Sequence, residues 1–253
     1  GSPFKVLNAL VALEEGVVDA KTTFTCYSGH YSARNQFMEC MCRPGTKNNL
    51  NRGIYKSCNT YFSNVYRRII DKDNKVEENI NNWHKHLNSF GLGNYLGYDH
   101  PVGQPGYVPN ANFYNLWYPN QRWRGSTIVS NAIGQGEILM TPIQLANVAA
   151  TIANRGFFYT PHFVKDIQGD FIDPKYKTKR ATSISKEHFT NVIEGMADVV
   201  SKGTARVAAI RGIEVCGKTG TIENFTKIDG VRTQLTDHSI FIAFAPKDDP
   251  KIA

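Results

Sequence analysis

Two residues at the head of the chain could do chemistry together. Ser2 and Lys5 stand three apart at the start of an apolar, helix-like run, GSPFKVLNALVALEEG. Residues three apart share a helix face, so an amine at Lys5 can reach the hydroxyl at Ser2. The positive end of the helix dipole also favours a developing alkoxide. The pair therefore reads as a nucleophile beside its proton acceptor. It reads equally as a plain helix start, with Ser2 as N-cap, Pro3 at the first helical position and Lys5 in solvent. A second Ser-x-x-Lys, Ser183 to Lys186, opens another predicted helix and is a cap. Two further motifs separate the copies. Ser57-Cys58-Asn59 is the only Ser-x-Asn of the chain, and Lys218-Thr219-Gly220, in a predicted strand, is the only Lys-Thr-Gly. Only the Ser2 copy precedes both.

The three motifs together contain the parts of an acyl transfer from an amide. Ser2 would attack the carbonyl, and Lys5, held neutral by burial and by the charge of Lys218, would take its proton. Ser57 would relay that proton to the leaving amine, and Asn59 would hold Lys5 and the substrate amide. The Lys-Thr-Gly strand offers an edge for an extended peptide. Lys218, Thr219 and Thr221 would face a terminal carboxylate, and Gly220 would let the substrate come close. Backbone N–H groups of Ser2 and Thr221 would receive the oxyanion.

The elements that must position these residues follow from periodicity and punctuation. The opening helix covers roughly residues 2–15 and stops at Gly16. An irregular, cysteine-containing region, residues 22–48, precedes a helix in KSCNTYFSNVYRRIID, and a shorter helix, WHKHLNSFGLG, ends at Gly91. Residues 97–125, rich in Gly, Pro, Asn and aromatics, read as a long loop. Its Tyr107, Tyr114, Trp117 and Trp123 would line a groove or pack. TPIQLANVAATIANRG is a helix with Thr141 as cap, Pro142 at its first position and Gly156 past its end. FFYTPHFVKDI reads as a strand followed by a QGD turn, and SKEHFTNVIEGMADVVSKG as an amphipathic helix. IEVCGKTGTIE and HSIFIAFAP read as antiparallel strands joined by a polar loop. Helices in the middle and strands late predict a mixed α/β fold of the α+β type, an antiparallel sheet flanked by helices.

The ordered motifs, with IGQGEILMTPIQLANVAATIANRG (residues 133–156) and DHSIFIAFAPKDDPKIA (residues 237–253), resemble the transpeptidase domain of class B penicillin-binding proteins, nearest their elongation type. The likeness spans residues 1–253 as one domain. It implies the penicillin-binding protein and serine β-lactamase fold, truncated at both ends because flanking strands, pedestal and anchor lie outside the sequence. It implies D,D-transpeptidation, in which the serine takes an acyl group from the D-Ala-D-Ala end of a peptidoglycan stem peptide and passes it to a neighbouring amine, with β-lactams trapping the acyl-enzyme. It further implies a site at the periplasmic face of the inner membrane, an N-terminal anchor, a SEDS-family glycosyltransferase partner and the elongation machinery. A serine β-lactamase and a non-catalytic β-lactam sensor share the acylation. The GQG–TPIQLA segment separates the chain from both. Cys216 stands where a small apolar residue is usual in the family and is expected to be buried.

The remaining features narrow the field. No cofactor is required by this chemistry. Cys26, His30, Cys40 and Cys42 fall in one stretch and could hold a structural zinc ion. A Cys26–Cys40 or Cys26–Cys42 disulfide, or free thiols, are the other readings. Cys58 is expected to pack inward. His84 and His86, two apart on a helix, read as surface residues, and Glu137 of GQGE as structural. The net charge of +7 comes from scattered basic residues without an arginine-rich block, so no nucleic-acid partner is expected. With 41% apolar and 20% charged residues the composition is that of a folded domain. No apolar run approaches the roughly 18 residues of a membrane span.

Overall fold

A run that is apolar at nearly every position makes a helix buried on all sides. In the computed structural model, which describes residues 1–33, 36–100, 102–120, 122–165, 168, 172–222 and 224–253, α1 (Phe4–Glu14) is such a helix, with every residue from Phe4 to Leu13 buried. Around it pack α2 (Leu50–Tyr55), α3 (Asn59–Ile70), α4 (Val76–Ser89) and α7 (Lys186–Ser201). Phe4 of α1 and Tyr66 of α3 both lean on Trp83 of α4, with ring centroids 6.0 and 5.6 Å away. The indole N–H of Trp83 donates to Asn8 Oδ1 at 2.8 Å, which satisfies a polar group in the middle of the core.

The two strands expected late in the chain form as β7 (Cys216–Ile222) and β10 (His238–Phe244). They pair antiparallel from Cys216 opposite Phe244 to Ile222 opposite His238. Helix α7 packs on β7, and α6 (Pro142–Ala153) packs on β10, so helices flank an antiparallel sheet. The cap of α6 is the one its sequence calls for. Thr141 and Gln144 form a reciprocal capping box, and Pro142 opens the helix.

Several stretches hold more structure than their composition announces. Within residues 22–48, β1 (Phe24–Cys26) pairs with β4 (Thr46–Asn48), and β2 (Gly29–Ala33) pairs with β3 (Gln36–Glu39). Within the long loop sits α5 (Ala111–Trp117), capped by the Asn110 side chain on the Phe113 N–H. The polar linker between β7 and β10 is a hairpin, β8 (Phe225–Ile228) and β9 (Val231–Gln234), turned by Asp229 and Gly230 at positive φ. That Asp-Gly pair is a turn signal readable in the sequence. Of the strand expected across FFYTPHFVKDI, whose residues 166 and 167 lie outside the described ones, β5 (Phe157–Tyr159) forms and pairs with β6 (Lys179–Ala181). Pro161, which has no N–H to donate, follows soon after. Two residues of the expected QGD turn, 169 and 170, lie outside the described residues.

Candidate active site

The head of α1 is set against β7 and the GQG turn by two missing side chains. A Cβ on Gly220 would stand 2.3 Å from Pro3 Cδ and 3.3 Å from the Ser2 nitrogen. Gly134, at φ 66°, comes close enough to α1 that a Cβ would meet that of Phe4 at 2.4 Å, and its carbonyl accepts from the Gly1 amine. The GQG segment is therefore a wall of the site, built to let the start of α1 approach.

The helix itself begins at Phe4. Pro3 occupies the cap position in helical conformation without a side-chain cap bond, and the first turn is tied by backbone bonds from Phe4 to Gly1 and from Lys5 to Ser2. Among the described residues the Ser2 hydroxyl is not spent on capping, contrary to the plain helix-start reading.

Lys5 is fully buried and points its ammonium at the second motif. Nζ donates to the Ser57 carbonyl at 2.6 Å, to Ser57 Oγ at 3.0 Å and to Asn59 Oδ1 at 2.5 Å. Lys218, buried on β7, donates to the same Ser57 Oγ at 2.9 Å and to the Thr219 carbonyl at 2.9 Å. Ser57 is left-handed at φ 52°, a conformation that functional sites hold at a cost. Asn59 is oriented from both ends, because its amide also donates to the Glu39 carbonyl at 2.6 Å. The second amide proton remains for a ligand. Along β7, Thr219 Oγ1 shares a 2.7 Å hydrogen bond with Thr204 Oγ1, while Gly220 is buried and Thr221 exposed. Among the described residues β7 pairs only with β10, so its edge beside Ser2 carries no strand.

Burial brings the Lys5 pKa down to about 8, and the nearby thiols Cys40, Cys58 and Cys42 oppose that shift. Lys218 lies well below the ordinary lysine value through burial and then through the charge of Lys5. Burial and mutual repulsion thus both work against carrying a charge on each lysine, while the thiols favour charge on Lys5.

Those thiols belong to a group of four cysteines, Cys26, Cys40, Cys42 and Cys58, whose Sγ atoms all lie within 4.8 Å of one another. None is bridged. His30 does not join them. Ser28, at φ 65°, reverses the chain after β1, and His30 stands in the β2–β3 hairpin opposite Met38. Cys58 takes the fourth place instead. It caps α3 by accepting from the Tyr61 N–H at 3.3 Å, and its thiol lies 3.6 Å from that of Cys40. Bonds from the Cys42 and Cys58 thiols push the Cys40 thiol strongly down. Cys58 does pack inward as expected. What the sequence reading missed is where its sulfur goes, and its place inside the Ser-x-Asn motif was the available signal. Cys216 is buried, as expected, and lies apart from this group. Tyr114, from the long loop, is buried and donates to Glu137 at 2.8 Å, and Trp123 is buried as well, whereas Trp117 is exposed.

The site thus comprises a serine at a helix mouth, two buried lysines converging on a second serine and an open strand edge alongside. Residues 1–253 match the penicillin binding protein transpeptidase domain. The chain belongs to that family. It is 28% identical over 270 residues to the peptidoglycan D,D-transpeptidase MrdA of Acinetobacter baumannii, covering 100% of this chain and 38% of that protein. Pseudomonas aeruginosa PBP2, solved in complex with WCK 5153, superposes with a TM-score of 0.79 at 28% identity, over 100% of this chain and 54% of that one. Helicobacter pylori PBP2, solved in complex with MreC, superposes with a TM-score of 0.75 at 29% identity, over 99% and 44%. The chain thus spans about half or less of the length of these relatives.

Proposed function

We propose that this chain is the catalytic part of a peptidoglycan D,D-transpeptidase that works through an acyl-enzyme on Ser2 and is a target of β-lactams. The observation that carries the reading is the convergence of Lys5 and Lys218 on Ser57 Oγ beside the head of α1, in a chain of this family. Ser2 Oγ attacks the carbonyl of the penultimate D-alanine, and its proton passes to neutral Lys5. The oxyanion that forms is received by the N–H groups of Ser2 and Thr221, each such donor being worth roughly 10²–10³ in rate. As the C–N bond breaks, Ser57 carries a proton from the lysine pair to the departing D-alanine amine. The amine of a second stem then attacks the ester, gives its proton back through Lys5, and Ser2 recovers its hydroxyl proton. Lys218, Thr219 and Thr221 hold the terminal carboxylate, Asn59 holds the amide, and Gly220 keeps the edge of β7 open.

Intact mass after incubation with benzylpenicillin tests this. A stable adduct located on Ser2 and absent from Ser2→Ala is the expected result, and well-folded protein that takes up no mass refutes the reading.

Likeness to a PBP2 solved with MreC supports a place in the elongation machinery at the periplasmic face of the inner membrane, and likeness to a peptidoglycan synthase complex coordinating polymerization and crosslinking supports a SEDS-family glycosyltransferase partner. The four thiols support a structural zinc site formed by Cys26, Cys40, Cys42 and Cys58. Tetrahedral zinc with sulfur at about 2.3 Å needs sulfurs about 3.8 Å apart, and these lie within 4.8 Å. Zinc would supply no reaction step there. The residues themselves would anchor the β1–β4 segment to the start of α3.

A further inference from the structure

Helix α7 ends at Ser201, and the chain turns at once towards β7. The turn is held on both sides. The Ala205 N–H donates to the Val199 carbonyl at 2.9 Å, and Ala205 is itself buried. Gly203 has no room for a side chain. A Cβ there would stand 2.5 Å from the Tyr55 carbonyl oxygen, 2.7 Å from Val199 Cα and 2.9 Å from the Asp198 carbonyl oxygen. These are backbone atoms of α2 and α7, which cannot swing aside as a side chain would. What the turn delivers is Thr204, whose Oγ1 comes to 2.7 Å from Thr219 Oγ1 on β7.

Thr204 is exposed and Thr219 half-buried. A hydrogen bond between two hydroxyls that water can reach adds little to stability, because water serves either of them nearly as well. The turn is already fixed by Gly203 and Ala205. The consequence of the bond lies in where the hydroxyl protons point. Each hydroxyl carries one proton. Thr219 stands with Lys218 and Thr221 to receive the terminal carboxylate, an acceptor only, so the Thr219 proton goes to that anion. The 2.7 Å pair then persists only with Thr204 as its donor. A donor placed behind a donor polarises it and stops its rotation. The surroundings suit an anion as well. Arg52, Lys56 and Lys202 stand 5.8, 5.4 and 5.2 Å over the ring of Tyr55, the residue whose carbonyl faces Gly203. Lys202 meets Asp198 at 2.9 Å, while Lys56, beside Ser57 in the chain, is exposed.

Resting on the transpeptidase reading, we propose that Thr204 is a positioning residue for the terminal carboxylate of the substrate. It donates to Thr219 and so aims the Thr219 hydroxyl at the anion. Through that proton the site prefers a free carboxylate to a neutral ester in the same place.

The test compares benzylpenicillin with its methyl ester, which keeps the reactive ring and lacks the anion. Acylation of the whole protein is followed by intact mass over a range of probe concentrations. At low concentration the acid is expected to react at least about tenfold faster, the usual worth of a hydrogen bond to a charged group. Thr204→Val, which keeps the shape and removes the hydroxyl, is expected to cut that preference about two- to tenfold, the range one hydrogen bond commands. The change should lie in the concentration of acid that gives half the maximal rate. Thr204→Ser is expected to restore the preference. The ratio of the two probes does not depend on the fraction of folded protein. A preference that is absent from the unmutated protein, that survives Thr204→Val or that Thr204→Ser fails to restore overturns the role of Thr204. Failure of benzylpenicillin to acylate Ser2 in the unmutated protein instead overturns the transpeptidase reading beneath it.

Discussion

Ser57 receives a hydrogen bond from each of two lysine side chains while held in a backbone conformation that costs about 1–3 kcal/mol for a non-glycine residue. Burial is the main cost of keeping these ammonium groups charged, and their mutual repulsion adds to it. For Lys5 burial brings the pKa down to about 8. Below that value Lys5 holds its proton and cannot accept one from Ser2, and above it the base is ready. The rate of acylation by benzylpenicillin should therefore rise about tenfold per pH unit from pH 6 and level off above about 8. Lys5→Ala should lose roughly 10²–10⁴ of the rate, the usual worth of general base catalysis. Following adduct formation by mass across pH 6–9 checks both, and a flat profile for the unmutated protein rejects Lys5 as the base. Most of this constellation was legible, because Ser2, Lys5, Ser57, Asn59 and Lys218 stand in three spaced motifs. The placing of the thiol cluster beside it was not, and its sulfurs oppose the downward shift of Lys5.

At the scale of elements, the short strands β1 to β4 are a clip on the N-terminus of α3. Asn59 donates to the carbonyl of Glu39 at the end of β3, and Cys58 meets the thiol of Cys40 one residue later. A metal on the four thiols would fix the clip and, through it, the amide that steers Lys5. Protein purified without chelator is expected to hold one zinc per chain by elemental analysis. Cys58→Ser or Cys42→Ser is expected to lose it and to lower the Tm by about 5 °C or more, which for a domain of this size is about 1–3 kcal/mol or more. Protein without zinc, whose Tm ignores both chelator and substitution, would remove the metal from the account. Sequence spacing pointed to this stretch but chose His30 for the fourth ligand. A three-residue strand leaves no alternation long enough to read, and the reversal at Ser28 sends the histidine into the neighbouring hairpin.

For the molecule as a whole, the long periodic elements were readable and the short paired ones were not. Helices α1 and α7 follow from apolar spacing and α6 from its capping box as well. Their positions around β7 and β10 follow from which faces must be covered. Ser183, expected as a cap, instead bonds His86 and Ser89, and α7 starts at Lys186 without a side-chain cap bond. Helix α4 begins at Val76, well before the Trp83 at which the sequence reading placed its start, because Val76, Ile80, Trp83 and Leu87 already form one stripe. Of the five two-stranded sheets among the described residues, β7–β10 was readable, whereas β1–β4, β2–β3 and β5–β6 pair segments that carry no strong pattern of their own. Those three emerge only when the chain is folded.

Helix α1 is at once the most deeply buried of the described elements, the bearer of Lys5 and the support on which Ser2 sits. This joins two kinds of selection that most enzymes keep apart. A lineage exposed to β-lactams cannot adjust the nucleophile's helix without loosening the core, where removing a buried leucine such as Leu10 costs about 2–5 kcal/mol. Heritable tolerance should therefore arise by changes in the exposed β8–β9 hairpin and the 97–125 excursion, with α1 left untouched. Sequencing tolerant isolates after stepwise drug exposure would show this, and recurrent substitutions within α1 would contradict it. Adaptation in this protein is channelled to its rim because its centre has no freedom left to give.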